Sequence, residues 1–232
     1  MEKLVVLSGA GISAESGIKT FRDMGGLWEE YDIMEVASPE GWARNSELVQ
    51  KFYNDRRKQL LDCKPNRAHL LLVELEKFYD VEVVTQNVDD LHERAGSSKV
   101  LHLHGELRKA QSTHDPSLVY DIDGWEIKKS DRCEKGYPLR PNVVWFGEPV
   151  YAMEPAMDIV SKSGILVVIG TSLNVYPAAS LVDFVPDNCL VYLIDPNEVM
   201  YYGRKKVNFV KEKAGKGTGI LFEQLIGQKP PF

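Results

Sequence analysis

The chain alternates short runs of apolar, mostly β-branched residues with longer segments whose apolar residues recur at helical spacing. Short apolar runs bounded by turn-forming residues are typical of strands that are buried on both faces of a parallel sheet. The pattern therefore predicts an α/β fold in which helices cover both faces of a parallel sheet. The predicted strands are residues 4–7, 81–85, 100–103, 143–145, 165–169 and 191–194.

Two segments have the apolar spacing of amphipathic helices. The segment 66–79 begins after Pro65 and should pack against the sheet, and the segment 46–61 carries a second apolar stripe. Residues 108–140 are polar and contain Pro116, so we expect a small excursion without sheet. The apolar faces are Ala68, Leu71, Leu72, Leu75 and Phe78 in the first helix, and Leu48, Phe52, Leu60 and Leu61 in the second.

Small residues follow the first predicted strand, where residues 9–14 read Gly-Ala-Gly-Ile-Ser-Ala. Such a junction lets backbone N–H groups approach a pyrophosphate, and a helix starting there adds the positive end of its dipole. The motif indicates a dinucleotide site, although a plain strand-to-helix turn has the same pattern. An ordinary dehydrogenase half also needs a second strand that ends in an acidic residue about 20 positions later. Glu29 and Glu30 lie outside any predicted strand, so a long insertion replaces that partner strand.

Composition limits the partners of the chain. With 232 residues, 44% of them hydrophobic, it can bury a sizeable core. The net charge of −6 and the scattered basic residues argue against a nucleic acid. We find no signal sequence and no apolar run of about 18 residues, and expect a cytoplasmic protein without a membrane partner. Cys63, Cys133 and Cys189 lie far apart, so we expect reduced thiols.

Polar residues follow three of the predicted strands. Ligands of open α/β sheets bind outside the carboxyl ends of the strands, so these residues and the glycine loop should line one crevice. Asp89 and Asp90 also fit a helix N-cap, and we expect one of the two to fill that role. The residues are Gln86, Asn87 and Asp89 after residues 81–85, His104 after residues 100–103, and Gly170, Thr171 and Ser172 after residues 165–169.

His102 and His104 follow the same strand and alternate between its faces. Gly105 leaves the ring of His104 room beside a ligand, and an imidazole with a near-neutral pKa can take a proton from a sugar hydroxyl. We assign the chemistry to His104 and a packing role to His102.

Tyr53 and Arg56 lie three residues apart and share a helix face. A phenol beside a guanidinium can hold a carboxylate, because the planar fork binds two oxygens and the hydroxyl is a third donor. An exposed amphipathic face has the same spacing. The spacing alone leaves the role of the pair open.

Five motifs, taken in chain order, carry a family resemblance. They are Gly-Ala-Gly-Ile-Ser-Ala-Glu-Ser-Gly-Ile with a following Phe-Arg, Thr-Gln-Asn-Val-Asp-Asp-Leu-His, His-Gly-Glu-Leu, Leu-Arg-Pro-Asn-Val-Val-Trp-Phe-Gly-Glu and Gly-Thr-Ser-Leu-Asn-Val-Tyr-Pro. On these motifs the chain resembles the sirtuins over nearly its whole length, and it is most similar to the short bacterial deacylases.

The resemblance implies a Rossmann-like large domain of about residues 1–22, 65–107 and 141–232, and a small domain built from insertions at about residues 23–64 and 108–140. It also implies NAD-dependent removal of acyl groups from protein lysines, with nicotinamide, free lysine and O-acyl-ADP-ribose as products. The acyl oxygen attacks the ribose carbon as nicotinamide leaves, and His104 then acts as general base on a ribose hydroxyl.

Matching motif positions imply individual site residues. Asn87 and Asp89 join His104 as catalytic residues and, with Ile12, surround the nicotinamide carboxamide. The other implied cofactor contacts are Phe21 and Arg22 over the reacting ribose, and Gly9, Ala10, Gly11, Trp28, Gln86, Val88, Gly170, Thr171, Ser172, Asp195 and Asn197.

Two segments match those between which sirtuins clamp an extended peptide by strand addition. The segment Phe-Tyr-Asn-Asp-Arg-Arg matches the one that desuccinylase-type sirtuins use for an acidic acyl chain. In that context we favour Tyr53 and Arg56 as readers of a carboxylate, and expect succinyl- or malonyl-lysine beside acetyl-lysine as substrate. The implied peptide contacts are Val144, Phe146, Gly147, Glu148, Asn174 and Val175.

Two departures from the family pattern change the expected site. Most relatives hold a structural zinc between two C-x-x-C pairs, whereas residues 108–140 contain Cys133 alone, so we expect no metal. Asp195 stands where the family usually has Asn against the adenosine ribose, and its carboxylate repels a 2′-phosphate, so the expected cofactor remains NAD. The residues whose packing should order the segment instead of zinc are Val119, Tyr120, Ile122, Trp125 and Tyr137.

Three functions compete: the deacylase, protein ADP-ribosyl transfer from the same NAD site, and a non-catalytic NAD or ADP-ribose sensor. The peptide clamp and the Tyr53–Arg56 pair favour deacylation over transfer. A sensor has no need for His104, Asn87 and Asp89 together. We expect a monomer that acts on acylated lysines of other proteins.

Overall fold

The computed structural model describes residues 1–18, 31–173, 176–199, 206–227 and 229–232. Its strands are β1 (Lys3–Ser8), β2 (Asp80–Thr85), β3 (Val100–His102), β4 (Gly105–Ser112), β5 (Val119–Asp121), β6 (Leu139–Val143), β7 (Ile165–Ile169), β8 (Leu190–Ile194) and β9 (Val207–Val210). Its helices are α1 (Ile33–Val36), α2 (Pro39–Arg44), α3 (Ser46–Asp62), α4 (Arg67–Leu75), α5 (Leu91–Ala95), α6 (Met153–Val160) and α7 (Ala214–Ile226). Segments of 3₁₀ helix occur at Ala10–Ile12, Ala14–Ser16 and Ala178–Phe184.

The main sheet is parallel and has the order β3-β2-β1-β7-β8-β9. β1 pairs with β2 on one side and with β7 on the other, so the strand order reverses between β1 and β7. Ligands of open α/β sheets bind at this switch point, outside the carboxyl ends of the strands. The α/β fold predicted from the apolar pattern is confirmed.

Alternate residues of β1 enter two separate cores, one on each face of the sheet. Leu4 and Val6 belong to the core that contains residues of α4 and α7. Val5 and Leu7 belong to the core that contains residues of α6 and of the 3₁₀ helix Ala178–Phe184. Helices cover both faces, which is why the central strands read as continuous apolar runs.

A second sheet is antiparallel, has the order β5-β4-β6, and corrects two predictions. The polar segment 108–140, for which no sheet is predicted, contributes most of this sheet. The run 143–145, predicted as a strand of the main sheet, supplies only Val143, the last residue of β6. The apolar pattern misses these strands because they are short and partly exposed, and therefore carry no continuous apolar run.

The edge strand β9 (Val207–Val210) is also absent from the predicted set. It pairs in parallel with β8. Asn208 and Phe209 are both exposed, so the segment has neither an apolar run nor a regular alternation that would mark it as a strand.

Two buried polar side chains of α3, Arg57 and Asn54, connect the segment that follows β5 to the rest of the chain by hydrogen bonds, and we call this pair the Arg57 staple. The fully buried Arg57 donates from Nε to the carbonyl oxygen of Leu107 at 2.6 Å, and from Nη1 to that of Trp125 at 2.7 Å. Nη1 also donates to the side-chain oxygen of Asn54 at 2.7 Å. Asn54 in turn exchanges two hydrogen bonds with the backbone of Ile127.

This staple replaces part of the hydrophobic packing expected for the segment. The predicted packing is wrong for Val119, which is exposed; Tyr137 is also exposed, but its ring stacks on that of His114. Ile127 and Cys133 are buried instead. Buried carbonyl groups need donors, and a guanidinium supplies five, so one arginine can satisfy several loop carbonyls at once.

The helices agree with their predicted positions except at their ends. α3 matches the predicted helix 46–61, but Leu61 is exposed instead of packed. α4 ends at Leu75 because the chain turns before β2, and Phe78 is consequently 47% exposed. The helix start expected after the glycines is a pair of 3₁₀ turns, the second of which ends at Gly17 with φ 89°. Within the described ranges, no helix is both long and apolar enough to cross a membrane.

Candidate functional site

Two glycine turns, one after β1 and one after β7, touch backbone to backbone at the switch point. The N–H of Gly9 donates to the carbonyl of Ile169 at 3.0 Å, and that of Gly11 donates to the carbonyl of Gly170 at 2.8 Å. A Cβ on Gly11 would lie 2.6 Å from Cα of Gly170, and one on Gly170 would lie 2.2 Å from the backbone nitrogen of Ile12. Any side chain here would push the turns apart. The backbone-lined floor that results suits the close approach of a pyrophosphate.

Asn87 and Asp89 tie the loop after β2 to the first glycine turn. Nδ2 of Asn87 donates to the carbonyl oxygen of Gly9 and to Oγ of Ser13, each at 3.2 Å. Oγ of Ser13 donates to Oδ2 of Asp89 at 2.9 Å. Both Asn87 and Asp89 are buried. An amide and a carboxyl linked in this way present the acceptors and donors that a carboxamide ligand can bind.

The environment of Asp89 weakens its acidity. Burial raises the pKa of Asp89, and the hydrogen bonds from Ser13 and from the N–H of Leu91 only partly oppose this. The bond from Leu91, 3.2 Å long, comes from the first residue of α5, whose N-cap residue is Asp90. The bonds from Ser13 and Leu91 go to different oxygens of the Asp89 carboxyl group, Oδ2 and Oδ1.

Gln86 joins the loops that follow β2 and β7. Its Nε2 donates to Oγ1 of Thr171 at 3.1 Å, and the same oxygen accepts from the N–H of Leu173 at 3.3 Å. The loops after three parallel strands therefore meet at one edge of the sheet, as the polar strand ends predict. Of the other residues expected here, Ile12 is buried, and Ala10, Val88 and Ser172 are partly exposed.

His104 lies just after β3 and is held by the loop after β2. Its Nδ1 is 2.9 Å from the carbonyl oxygen of Gln86. Because a carbonyl can only accept, Nδ1 carries the proton and Nε2 has the lone pair. Burial lowers the pKa of His104, and the bond to Gln86 offsets this only in part. The ring is therefore neutral at neutral pH, the form that can accept a proton.

His102 has a different environment. Its Nδ1 lies 2.9 Å from the carbonyl oxygen of Asn87, and its Nε2 lies 2.8 Å from Oε1 of Glu93. Burial lowers the pKa of His102, but the hydrogen bond and charge of Glu93 outweigh burial and leave the pKa raised. With both ring nitrogens engaged, His102 braces the backbone of Asn87, in agreement with the packing role assigned to it.

Tyr53 lies in a buried aromatic cluster on α3. Nε1 of Trp145 donates to Oη of Tyr53 at 3.1 Å, and the ring of Phe52 meets that of Tyr53 edge-on at 5.1 Å. Burial raises the pKa of Tyr53 to about 12, against the lowering effect of the Arg56 charge and the Trp145 bond. The phenol is therefore neutral at physiological pH.

The guanidinium of Arg56 lies 5.5 Å from the ring centroid of Phe52, next to Tyr53. Burial lowers the pKa of Arg56, whereas the charges of Tyr53 and Asp89 act in the opposite direction. Arginine remains protonated in proteins under such shifts. The charge of Asp89 on the loop after β2 therefore acts on the guanidinium of Arg56.

The segment 144–148, expected to contact a peptide, follows β6 as a turn and not as a strand. The N–H of Val144 donates to the carbonyl of His104 at 2.9 Å, and the N–H of Phe146 donates to that of Ala37 at 3.0 Å. The side chain of Phe146 is exposed. These two N–H groups are therefore already used in hydrogen bonds within the chain.

Glu148 stabilises the turn formed by residues 144–148. Its carboxylate accepts two hydrogen bonds from Arg140, at 2.6 and 2.9 Å, and one from the backbone N–H of Trp145 at 2.8 Å. The guanidinium of Arg140 also lies 3.4 Å from the ring centroid of Trp145. Bidentate pairing combined with stacking restricts the turn to one arrangement.

Asp195 and Asn197 follow β8, which neighbours β7 in the sheet. The N–H of Asn197 donates to Oδ1 of Asp195 at 2.8 Å. The pair therefore lies at the carboxyl edge of the sheet, beyond Thr171. Five further residues implied by the motifs, Phe21, Arg22, Trp28, Asn174 and Val175, lie outside the described residues.

Three residues contribute contacts that the sequence does not assign to the site: Ser13, Arg140 and Trp145. Ser13 lies inside the glycine motif, but its sequence position does not show that its hydroxyl bonds to both Asn87 and Asp89. Trp145 lies in a run predicted as a core strand, which hides the role of its indole N–H.

Residues of the second sheet that could bind metals have other contacts. The ring of His114 stacks on Tyr137 with centroids 4.1 Å apart, and Asp115 pairs with Lys135 at 2.8 Å. Cys133, like Cys63 and Cys189, is a buried free thiol. In the part of the chain that the structure describes, no group of three or more His, Cys, Asp and Glu residues is placed to hold a metal.

Comparisons with known proteins agree on one family. The model of the Sir2 family matches residues 9–177. A protein of Bacteroides thetaiotaomicron named NAD-dependent protein deacylase is 53% identical over 97% of this chain and 99% of its own length. A Helicobacter pylori (strain J99) protein of the same name is also 53% identical, over 97% of this chain and 96% of its own.

Solved structures give the same result. A Sir2 homologue in complex with NAD is 39% identical, with a TM-score of 0.87 over 97% of this chain and 90% of that chain. A structure described as the structural basis of sirtuin substrate affinity is 30% identical, with a TM-score of 0.79 over 95% of this chain and 93% of that one.

Proposed function

The chain belongs to the Sir2 family and is an NAD-dependent protein deacylase, and we propose that it prefers lysines with an acidic acyl group, succinyl or malonyl, and also removes acetyl. The preference is supported above all by the Tyr53–Arg56 pair. The neutral phenol of Tyr53 belongs to a buried aromatic cluster with Phe52 and Trp145, and the protonated guanidinium of Arg56 lies over the ring of Phe52.

The position of this pair explains why it would select for charge. Tyr53 is buried, and the low local dielectric strengthens an ionic hydrogen bond to Arg56. An acyl carboxylate can gain that bond, whereas an acetyl methyl cannot. The electrostatic interaction of Arg56 with Asp89 supports placing the acyl chain beside the ligand crevice.

We assign NAD to the crevice at the switch point. The two glycine turns, with Ala10, Thr171 and Ser172, would hold the pyrophosphate, and Gln86 and Val88 would contact the reacting ribose region. Ile12, Asn87 and Asp89 would bind the nicotinamide carboxamide. NAD supplies, when bound, the ribose carbon that receives the acyl oxygen as nicotinamide leaves. The remaining proposed contacts are Asp195 and Asn197 at the adenosine ribose and, through their motif positions, Phe21, Arg22 and Trp28.

His104 is the proposed general base. The Gln86 carbonyl holds the proton on Nδ1, so Nε2 is available to take the proton of a ribose hydroxyl. The lowered pKa of His104 keeps this nitrogen unprotonated at neutral pH. Asn87 and Asp89 would act beside it by orienting the leaving group.

The substrate peptide is proposed to bind by backbone pairing against residues 144–148, and against Asn174 and Val175 on its other side. Backbone pairing carries little side-chain selectivity, which suits a deacylase with many protein targets. Phe146, exposed at the surface, and Gly147 would flank the lysine.

The setting of the enzyme is part of the proposal. We infer a cytoplasmic location, which the three free buried cysteines support, and a monomeric state. The insertions 23–64 and 108–140 are proposed to form the small domain, which the Arg57 staple would order without zinc.

The test is nicotinamide release from NAD in the presence of matched succinyl-, malonyl- and acetyl-lysine peptides. We expect release that depends on peptide, with a higher kcat/KM for the acidic acyl groups. Peptide-independent release with ADP-ribose appearing on protein would identify a transferase. A kcat/KM highest for acetyl-lysine would refute the proposed preference while leaving the deacylase intact.

A further inference from the structure

We propose that Trp145 is a specificity-determining positioning residue, which turns the hydroxyl proton of Tyr53 toward the carboxylate of the acyl group. The inference rests on the proposed preference for acidic acyl chains and deepens it. It starts from one hydrogen bond, 3.1 Å long, between Nε1 of Trp145 and Oη of Tyr53.

The chemistry of the two groups decides the direction of that bond. An indole nitrogen can only donate, so Tyr53 must accept and its own proton must point elsewhere. In the described part of the chain, the Tyr53 hydroxyl donates to no protein acceptor with hydrogen-bond geometry. A phenol in another arrangement could instead present a lone pair, which would repel a carboxylate. The indole therefore converts Tyr53 into a dedicated donor.

Burial keeps that donor intact. Tyr53 is only 3% exposed and Trp145 2% exposed, so water does not compete freely for the hydroxyl. The pKa of Tyr53, raised by burial to about 12, holds the proton on the phenol throughout the physiological range. Arg56, on the next turn of α3, supplies the charge, and Tyr53 supplies the directional bond.

The indole itself is held on two sides. The guanidinium of Arg140 lies 3.4 Å from its ring centroid, and the ring of Trp42 lies 5.6 Å away. The backbone N–H of Trp145 is bound by Glu148, which also pairs with Arg140. A cation over the ring withdraws electron density from it and strengthens N–H donation. The contacts of Arg140 and Glu148 thus hold both the turn that would bind the peptide and the indole that orients Tyr53.

The test compares Trp145→Phe with wild type on succinyl- and acetyl-lysine peptides. Phenylalanine keeps the aromatic contacts and removes the N–H. We expect the KM for the succinyl peptide to rise about fivefold with kcat nearly unchanged, because a hydrogen bond to a charged group is redirected and not deleted. Any change in the KM and kcat for the acetyl peptide should be clearly smaller, because an acetyl group makes no use of the oriented hydroxyl, so the succinyl-to-acetyl ratio of kcat/KM should fall. Trp42→Phe, which removes an indole N–H from the same cluster, should leave both peptides unaffected.

A double-mutant cycle separates this role from general packing. In a Tyr53→Phe background, Trp145→Phe should cause no further change in the succinyl-to-acetyl ratio, because the hydroxyl that it orients is gone. The same fold-change in both backgrounds, or equal losses for both peptides, would overturn the inference. If Arg56→Met and Tyr53→Phe lower the ratio but Trp145→Phe does not, this inference alone fails. If none of the three lowers the ratio, the proposed acyl preference fails with it.

Discussion

Nδ1 of His104 lies 2.9 Å from the carbonyl oxygen of Gln86, and this contact assigns the ring its tautomer. The donor side of the imidazole faces the loop after β2, and the basic nitrogen is left for a substrate. His104→Ala should therefore reduce kcat by at least about 100-fold, the usual contribution of a general base. The affinity for NAD, measured by calorimetry, should change little. His114→Ala, at an exposed histidine of the second sheet, is the control; a His104→Ala variant with near-normal turnover would refute the assignment.

The direction of the His104 pKa shift predicts the acid limb of the pH profile. The neutral ring is the active form, and burial lowers the pKa of His104 below the ordinary value for histidine, about 6.5. Activity should stay level as pH falls to about 6.5 and decline only under more acidic conditions. An acetyl peptide is the substrate of choice for this measurement, because its acyl group does not titrate. An acid limb with a midpoint above 6.5 would contradict the assignment.

Gly11→Ala should separate the two glycine turns. The new Cβ would lie 2.6 Å from Cα of Gly170, where only backbone can yield. We expect a loss of about 1–3 kcal/mol in stability, typical of overpacking, together with weaker NAD binding. Gly164→Ala is the matched control, since its Cβ would meet only the flexible side chain of Glu2. Thermal unfolding and NAD calorimetry check both variants, and an unchanged Kd for Gly11→Ala would argue against a pyrophosphate at this floor.

Arg57→Met should destabilise the protein by about 3 kcal/mol, because the buried acceptors on Leu107 and Trp125 lose their donor. Urea unfolding measures the loss. Arg56→Met, one residue earlier on α3, should cost less stability, because the side chain of Arg56 is partly exposed whereas that of Arg57 is fully buried. Equal stability of Arg57→Met and wild type would show that the staple contributes nothing.

The sequence predicts the parts of the site that depend on local pattern. The glycine turns, the polar strand ends and His104 each lie directly after a buried apolar run, and parallel strands bring their carboxyl ends to one edge. The strands of the second sheet could not be predicted in this way. β5, for example, is largely exposed, and its residues show no apolar periodicity.

Contacts between residues that are far apart in the sequence could not be predicted from it and are seen only in the folded structure. The bond from Trp145 to Tyr53 joins residues 92 positions apart, and that from Arg57 to Leu107 joins residues 50 apart. Spacing alone cannot distinguish Arg56, next to the aromatic cluster, from Arg57, which is fully buried under the second sheet. Only the packing of α3 shows that adjacent arginines have different tasks.

The acyl preference is the central claim, and one comparison tests it most directly: kcat/KM for succinyl- and acetyl-lysine peptides of one sequence, in wild type and in Arg56→Met. Removing the guanidinium should lower the succinyl value by about 10- to 100-fold, the worth of a charge-assisted hydrogen bond, and leave the acetyl value nearly unchanged. Arg44→Met, at an exposed arginine of α2, should change neither. Equal losses for the two peptides, or no loss for succinyl, would contradict the account.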